Sequence, residues 1–356
     1  MWWKPRRENL LHFAANSDSC PLTQIGSCPF IRKTPLFELT TYELFVLAAG
    51  SMAFGLFLLI KGGDWMIDGA VFMAERTGLS PLFIGATIIS FGTSVPELFT
   101  SVNANLAGHP GIALGNVLGS NVANILLVLG ATAFVFNVTA NPKHLAKDLA
   151  MMLLATAILA FGMMTDSFSR LFGLGMFAIL ASFVFYQYKT DSIEIEEEDD
   201  DTAEPLITTM KTAVLFLLAG VGALAVGSEL LVQGAVQTGT AIGVPEAVIG
   251  ITVVAFGTSL PELSTCIAAA RKQSVGLILG NIIGSNTFNI LSIIALTAVV
   301  QPLAVDPVLL GMDLWVTIAI TVLFTIWMLT VGKLTRPIGI AMMIAYVVFI
   351  AVQYLQ

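Results

Sequence analysis

Charged residues are scarce in this sequence. Only 11% of the 356 residues are Asp, Glu, Lys or Arg, 56% are hydrophobic, and the mean hydropathy is +0.87. Soluble globular chains carry about 25% charged residues, so this composition excludes that class. Stretches of about 20 apolar residues recur, and that length crosses the ~30 Å hydrocarbon core of a membrane. The sequence therefore predicts an integral protein of a lipid bilayer.

Cysteines and basic clusters are also few. Cys20, Cys28 and Cys266 fit neither a disulfide framework nor a zinc site, although Cys20 and Cys28 could pair if the N-terminal tail lies outside. No basic patch indicates nucleic acid as a partner. Residues 191–204 hold nine acidic residues, and this segment is either a solvated linker between two halves or a weak Ca²⁺-binding patch.

Ten apolar stretches predict ten transmembrane helices, each near the ~20-residue spanning length. They cover residues 42–62, 80–107, 111–136, 147–165, 169–188, 212–232, 244–270, 275–300, 308–331 and 336–355. The chain then divides into a polar N-terminal tail (1–40), a first five-helix repeat (41–188), an acidic linker (189–211) and a second five-helix repeat (212–356).

The placement of Lys and Arg predicts how the helices are oriented. The loops after helices 1, 3, 5, 7 and 9 carry nine of these residues, whereas the loops after helices 2, 4, 6 and 8 carry only Arg170. Because cytoplasmic loops are enriched in Lys and Arg, the odd-numbered loops and the acidic linker are expected in the cytoplasm. The protein is then expected in the cell (inner) membrane, with both termini on the outer side.

The two halves of the sequence repeat each other at an offset of 165 residues (262 − 97 = 165), without a gap. Residues 91–97 read FGTSVPE and residues 256–262 read FGTSLPE; residues 115–124 read GNVLGSNVAN and residues 280–289 read GNIIGSNTFN. Because each half has five helices, the second half runs inverted through the membrane. Inverted repeats with interrupted helices indicate a secondary transporter whose site lies near the bilayer midplane.

Two carboxylates end the first block of each half. Glu97 and Glu262 lie within apolar stretches, where a charge is costly and usually functional. Pro96 and Pro261 predict a kink or break just before each glutamate, because proline cannot donate to the carbonyl four residues earlier. Backbone carbonyls freed in this way can line a cavity inside the protein.

Hydroxyl and amide oxygens accompany the two carboxylates at helical spacing. They belong to Thr93, Ser94, Ser120 and Asn124 in the first half and to Thr258, Ser259, Ser285 and Asn289 in the second. With no His or Cys among them, this set favours a hard cation such as Ca²⁺, which takes about six to eight oxygen ligands. The two carboxylates neutralise one Ca²⁺. Their repulsion after its release favours replacement by Na⁺ or H⁺, and hence coupled exchange.

The paired blocks resemble the α-repeats of the calcium/cation antiporter superfamily, particularly the prokaryotic sodium/calcium exchangers. The resemblance covers the ten helices but not the N-terminal tail. It implies an all-α integral membrane protein with ten transmembrane helices in two inverted five-helix repeats and ion sites clustered at the midplane.

The resemblance also implies roles for individual residues. Glu97 and Glu262 would bind Ca²⁺ and also Na⁺ or H⁺, and the hydroxyl and amide residues named above would be further ligands, together with the backbone carbonyls of Ser90 and Ala255. Some relatives have Asp where this chain has Asn289. In the family that Asp is linked to potassium dependence, so Asn289 argues against K⁺ co-transport.

Antiport of Ca²⁺ against Na⁺ or H⁺ is the leading hypothesis, and three alternatives remain. The protein could exchange another cation (Mg²⁺, or Na⁺ against H⁺ alone), conduct cations as a channel, or act as an intramembrane enzyme. Phosphate chemistry would need Arg or Lys beside the carboxylates, and the blocks contain neither. We therefore expect no enzymatic activity and no cofactor. The sequence leaves the oligomeric state open, with a monomer as a plausible state.

Overall fold

The computed structural model describes residues 41–190, 207–242, 255–305 and 307–353. Four predictions lie wholly or partly outside these ranges. They concern the N-terminal tail, a pairing of Cys20 with Cys28, the acidic segment 191–204, and the first part of the predicted helix 244–270. Cys266 is buried and not disulfide-bonded.

The described helices and strands follow one another as predicted, with short additions. In chain order they are α1 (Thr41–Thr77), α2 (Pro81–Thr93), α3 (Val95–Leu106), α4 (Pro110–Val135), β1 (Val138–Thr139), α5 (Pro142–Met163), β2 (Ser167–Phe168), α6 (Arg170–Thr190), α7 (Met210–Ala241), α8 (Ala255–Thr258), α9 (Leu260–Arg271), α10 (Val275–Val300), β3 (Leu303–Ala304), a 3₁₀ turn (Pro307–Leu310), α11 (Met312–Thr330), β4 (Lys333–Leu334) and α12 (Arg336–Gln353).

Eight of these helices are long and apolar enough to cross a membrane, and the bent pair α2–α3 makes a ninth span among the described residues. Helices α8 and α9 belong to the predicted helix 244–270, which the structure describes only from residue 255 onward. The predicted all-α membrane fold is confirmed, and the described helices are consistent with ten spans.

Helices α1 and α7 extend well beyond the predicted ranges 42–62 and 212–232. The helix of α1 continues to Thr77 and that of α7 to Ala241. The prediction ended each helix where its apolar run ended. The length of an apolar run reflects the thickness of the hydrocarbon core of the bilayer. A helix can continue beyond the hydrocarbon core with more polar residues.

Glycines bring α1 and α7 into backbone contact. A Cβ atom on Gly55 would lie 2.7 Å from the Gly227 carbonyl oxygen, and one on Gly227 would lie 2.8 Å from the Gly55 carbonyl oxygen. Gly62 and Gly220 meet in the same way, at 3.0 and 2.8 Å. Because the 165-residue offset maps Gly55 onto Gly220 and Gly62 onto Gly227, the crossing obeys the internal symmetry. Small residues permit such close approach of membrane helices.

Two short ribbons join the halves. Strand β1 pairs antiparallel with β4, placing Val138 opposite Leu334, and β2 pairs with β3, placing Phe168 opposite Leu303. The matching positions differ by 165 residues for β1 and β3 (303 − 138) but by 166 for β2 and β4 (334 − 168). The expected gapless repeat is therefore wrong here, because the second half has one extra residue before β4.

A second duplicated polar pair lies outside the two sequence blocks. Gln187 Nε2 donates to Asp148 Oδ1, which ties α6 to α5, and Gln353 Nε2 donates to Asp313 Oδ1, which ties α12 to α11. The aspartates are 165 residues apart and the glutamines 166 (313 − 148 and 353 − 187). A carboxylate inside a bundle needs such a donor. The sequence analysis missed these pairs: the 165-residue offset matches the two aspartates, but the glutamines lie one residue out of that register.

The outer surface is strongly apolar. Phe57, Leu171, Leu218 and Leu323 are each more than half exposed. So many exposed large apolar side chains are unusual on a soluble monomer. It fits a bundle whose backbone hydrogen bonds are satisfied inside helices and whose side chains face lipid.

Candidate cation-binding site

Each glutamate lies in the first turn of a helix that restarts after a break. Ser94 (φ −85°, ψ 3°) separates α2 from α3, which meet at 44°. Ser259 (φ −89°, ψ 2°) separates α8 from α9 in the same conformation. The predicted breaks before Glu97 and Glu262 are therefore present in both halves. The N-terminal turn of a helix favours negative charge, because its N–H groups point toward the carboxylate.

The two prolines sit where their missing N–H is tolerated. Pro96 and Pro261 lie in the first turns of α3 and α9, and N–H groups there have no partner within the helix. Because Pro261 has no N–H, the Gly257 carbonyl four residues earlier receives no hydrogen bond from it. This carbonyl accepts a hydrogen bond from Ser228 Oγ of α7 at 2.6 Å instead. This freed carbonyl is therefore held by a hydroxyl of a neighbouring helix, whereas the sequence led us to expect that it would line the cavity.

The second block of each half contains a π-helical turn. Asn124 begins the turn Asn124–Val128 in α4, and Asn289 begins the turn Asn289–Ile294 in α10. Single π turns recur at functional sites, because the extra residue per turn changes the direction of the side chains around it. Ser120 and Ser285 lie one turn earlier in regular α-helix, and all four side chains are buried.

The structure brings residues of the two halves together. Thr93 Oγ1 lies 3.5 Å from Ser285 Oγ. The hydroxyls of Thr93 and Ser94 lie beside the Glu262 carboxylate, but neither carboxylate oxygen accepts a hydrogen bond. Glu97 and Glu262 are near enough for their charges to repel each other. Both glutamates are 1% exposed, so this repulsion acts inside the protein with little screening by water.

Buried polar atoms without a hydrogen-bond partner concentrate at these residues. Within the described ranges eleven side-chain atoms are in this state, and eight of them belong to residues of the predicted site. The eight are Ser94 Oγ, Glu97 Oε2, Asn124 Oδ1 and Nδ2, Ser259 Oγ, Glu262 Oε1 and Oε2, and Asn289 Oδ1. Burying such atoms unsatisfied is costly. Seven of the eight are oxygens, and a cation bound among them would satisfy them.

Comparison with known proteins places this arrangement in a family. Two segments of the chain, residues 47–189 and 212–355, match the sodium/calcium exchanger protein family. Each segment holds one of the two site glutamates and the helix break before it, and together the segments cover most of the chain. The chain belongs to this family. It is an integral, multi-pass membrane protein of the prokaryotic exchanger type within the calcium/cation antiporter superfamily.

Individual relatives align with nearly their whole length. The sodium/calcium exchanger MaX1 of Methanosarcina acetivorans is 30% identical, over 84% of this chain and 96% of its own. The inner membrane protein YrbG of Escherichia coli is 31% identical, over 87% and 97%. The solved structure of the sodium-calcium exchanger NCX_Mj, soaked with Na⁺ and Sr²⁺, superposes with a TM-score of 0.74 at 34% identity, over 86% of this chain and 98% of that chain.

Two asparagines brace the glutamate-bearing helices of this exchanger-family chain. Asn116 Nδ2 donates to Ser101 Oγ at 3.0 Å and to the Glu97 backbone oxygen at 3.3 Å. Asn281 Nδ2 donates to Thr265 Oγ1 at 2.9 Å, and Thr265 Oγ1 donates to the Glu262 backbone oxygen at 2.9 Å. The sequence left Asn116 and Asn281 open between a ligand and a residue that bridges helices, and the structure gives them bridging hydrogen bonds. Their signal was the first asparagine of each repeated GN block.

The remaining predicted ligands have different surroundings. Ser90 is fully buried, and its Oγ donates to the Asn281 carbonyl oxygen across the two halves at 3.0 Å. The Ser90 carbonyl already accepts from the Ser94 N–H at 3.1 Å and from Thr93 Oγ1 at 3.3 Å. It would therefore share its lone pairs if it also bound an ion. Thr258 is half-buried beside Ser259, and Ala255 begins α8.

The two ends of the site differ. On the α9 side, Arg271 pairs with Asp64 at 3.1 Å and Lys272 pairs with Asp68 at 2.8 Å, both across to α1. Ser264 Oγ of α9 also donates to the Leu59 carbonyl of α1. These contacts fasten α9 to α1.

The equivalent surface of α3 is more open. Phe99, which corresponds to Ser264 at the 165-residue offset, is 63% exposed, and Asn103 is exposed, whereas its counterpart Ala268 is 4% exposed. The basic residues at the end of α9 correspond to Leu106 and an alanine at the end of α3. The two halves therefore share a sequence pattern but not the same packing.

Proposed function

We propose that this chain is a secondary active antiporter that exchanges Ca²⁺ for Na⁺ at one site formed by Glu97 and Glu262. The observation that carries the proposal is the cluster of buried oxygens without hydrogen-bond partners contributed by both halves. Hydroxyl, amide and carboxylate oxygens are the ligand set that Ca²⁺ prefers. The relatives named sodium/calcium exchanger support the choice of the two ions.

The two negative charges explain why transport is coupled. Ca²⁺ neutralises both carboxylates, so its release leaves two like charges inside a medium of low dielectric constant. Binding of Na⁺ ions removes this cost, and the protein then changes conformation with a cation bound. The hydroxyls of Thr93, Ser94 and Ser259 complete the coordination for either ion, and Ser120, Ser285, Asn124 and Asn289 close the site from α4 and α10.

The unequal packing of the two halves supports alternating access. In inverted-repeat transporters the second conformation is reached when each half adopts the arrangement of the other. Here α9 is fastened to α1, while the equivalent surface of α3 is exposed. We infer that this conformation is closed on the α9 side and that exchange of the two arrangements opens it there.

The orientation proposed from the loop charges identifies which side of the membrane the closed end of the site faces. Arg271 and Lys272 follow an odd-numbered span, so the closed side faces the cytoplasm under the positive-inside rule. The acidic linker lies on that same side as a solvated connection between the five-helix repeats, and both termini lie outside. The similarity to an inner membrane protein of Escherichia coli supports placement in the cell membrane.

Reconstituted vesicles test the proposed exchange. An outward Na⁺ gradient at fixed pH is expected to drive ⁴⁵Ca²⁺ uptake into proteoliposomes, because Na⁺ that leaves the lumen down its gradient supplies the free energy that carries Ca²⁺ inward through the same site. A pH gradient without Na⁺ is expected to drive none. Protein-free liposomes under the same gradients provide the background.

Each other outcome selects an alternative. Uptake driven by the pH gradient alone would identify protons as the counter-ion. Uptake of Mg²⁺ in place of Ca²⁺ would identify a different cation antiporter. Ionic current without a counter-gradient would identify a channel, and no cation flux under either gradient would contradict the proposal.

A further inference from the structure

One contact across the two halves holds the amide of a predicted ligand in a fixed direction. Asn289 Nδ2 of α10 donates to Asn121 Oδ1 of α4 at 3.2 Å. Both side chains are buried, and Asn289 Oδ1 is among the oxygens without a hydrogen-bond partner. The hydrogen bond therefore uses the N–H side of the amide and leaves the oxygen for another partner.

The direction of an amide matters beside a cation. Asparagine presents either an acceptor oxygen or an NH₂ group, and its two orientations have nearly the same shape. Only the oxygen can bind a cation, because the NH₂ protons carry partial positive charge. A carboxylate has no such ambiguity, since both of its ends are oxygens. An asparagine ligand therefore gains from a neighbour that accepts its N–H.

The matching residues of the other half lack this contact. At the 165-residue offset, Asn121 corresponds to Asn286 and Asn289 corresponds to Asn124. Neither Asn124 Nδ2 nor Asn124 Oδ1 has a hydrogen-bond partner, and Asn286 Nδ2 instead points at Met152 Sδ, 3.9 Å away. Two identical pairs of asparagines thus form one hydrogen bond in place of two.

We propose that Asn121 is a positioning residue that turns the Asn289 oxygen toward the transported cation. Asn121 does not itself contact the ion. It accepts a hydrogen bond from the Asn289 N–H, and the neutral amide of Asn289 can then present its oxygen to the cation. The inference rests on the proposed Ca²⁺ site and adds the reason why one asparagine ligand is oriented, whereas its counterpart Asn124 has no such hydrogen bond.

Equilibrium ⁴⁵Ca²⁺ binding to the purified full chain tests this role. Asn121→Leu keeps the size of the side chain but removes the acceptor, and is expected to weaken Ca²⁺ binding about tenfold, as loss of an outer-shell partner typically does. In an Asn289→Asp background the same substitution is expected to change binding less than about threefold, because either carboxylate oxygen can face the ion.

Two further variants separate orientation from packing. Asn286→Leu removes the matching asparagine of the other half and is expected to leave Ca²⁺ affinity unchanged. Asn121→Asp keeps an acceptor and is expected to bind Ca²⁺ at least as tightly as the parent, even if Asn121→Leu folds poorly. Thermal unfolding in detergent is recorded for all variants.

The outcomes distinguish this inference from the proposed function. Wild-type affinity in Asn121→Leu, an equal loss in both backgrounds, or lost binding in Asn121→Asp would each overturn the positioning role while leaving Ca²⁺ transport intact. Absence of Ca²⁺ binding by the unmodified chain would overturn both.

Discussion

Replacing either Glu97 or Glu262 by glutamine is expected to reduce Na⁺-driven Ca²⁺ uptake by at least ~30-fold. Glutamine preserves the size of the side chain but removes one of the two charges that neutralise Ca²⁺. Loss of one partner of a buried charge pair costs about 2–5 kcal/mol, and each 1.4 kcal/mol is about tenfold in affinity. ⁴⁵Ca²⁺ uptake into proteoliposomes at matched protein content measures the effect.

The same experiment distinguishes one shared site from two separate ones. If both carboxylates bind one ion, the double variant is expected to be no worse than either single variant, because the site is already lost. Glu229→Gln is the matched control. It removes a glutamate of α7 that is exposed and accepts from Gln233 at 2.6 Å, and uptake should stay within twofold of the parent. Retained uptake in both single variants would rule out the shared site.

Gly227→Leu is expected to prevent α1 and α7 from packing and to leave little folded protein. The first side-chain carbon would lie 2.8 Å from the Gly55 carbonyl oxygen and 3.0 Å from the Leu59 backbone nitrogen. Neither backbone atom can move without moving its helix. Overpacking in a core costs about 1–3 kcal/mol even where side chains yield, and backbone contacts yield less. Size-exclusion profiles after heating in detergent measure the loss.

Gly222→Leu provides the control on the same helix. No heavy atom lies within 4 Å of a Cβ placed at Gly222, so the added side chain projects away from α1. Leucine also favours helix over glycine by about 0.8 kcal/mol. The melting temperature should be unchanged or higher. Equal destabilisation by both substitutions would show that the glycine crossing does not hold the two helices together.

Sequence reasoning predicted the parts of the site that depend on chemistry at fixed spacing. A proline two residues after a serine, with a glutamate next, specifies a break and an acid in the first turn of the next helix. The structure has this arrangement at Ser94 and at Ser259, with backbone angles that agree within a few degrees. Local covalent constraints act alike in both halves, so the repeat was a reliable guide there.

The internal repeat in the sequence could not predict the features in which the two halves differ. Equal sequence blocks predict equal contacts, yet Asn121 holds Asn289 while Asn286 does not hold Asn124. Such a difference is expected where the two halves are packed differently, as they are at α3 and α9. This packing depends on contacts between distant helices, such as the pairing of Asp64 with Arg271, which no local pattern specifies.

The predictions of helix ends and of the register of the repeat were wrong for simpler reasons. The apolar run of α1 stops before Asp64, but the helix continues to Thr77, because hydropathy reports burial in lipid and not backbone conformation. The one-residue shift before β4 lies in sequence of weak similarity. It became visible through the strand pairing of Val138 with Leu334 and of Phe168 with Leu303, and through the matched glutamines Gln187 and Gln353.

The central claim is that two symmetry-related glutamates form a single Ca²⁺ site, and the most direct test is the stoichiometry of ⁴⁵Ca²⁺ binding to the purified chain in detergent without Na⁺. The account predicts one tightly bound Ca²⁺ per chain for the parent, none for Glu97→Gln, none for Glu262→Gln, and displacement from the parent by added Na⁺. Two equivalent Ca²⁺ ions per chain, with one retained in each single variant, would contradict it.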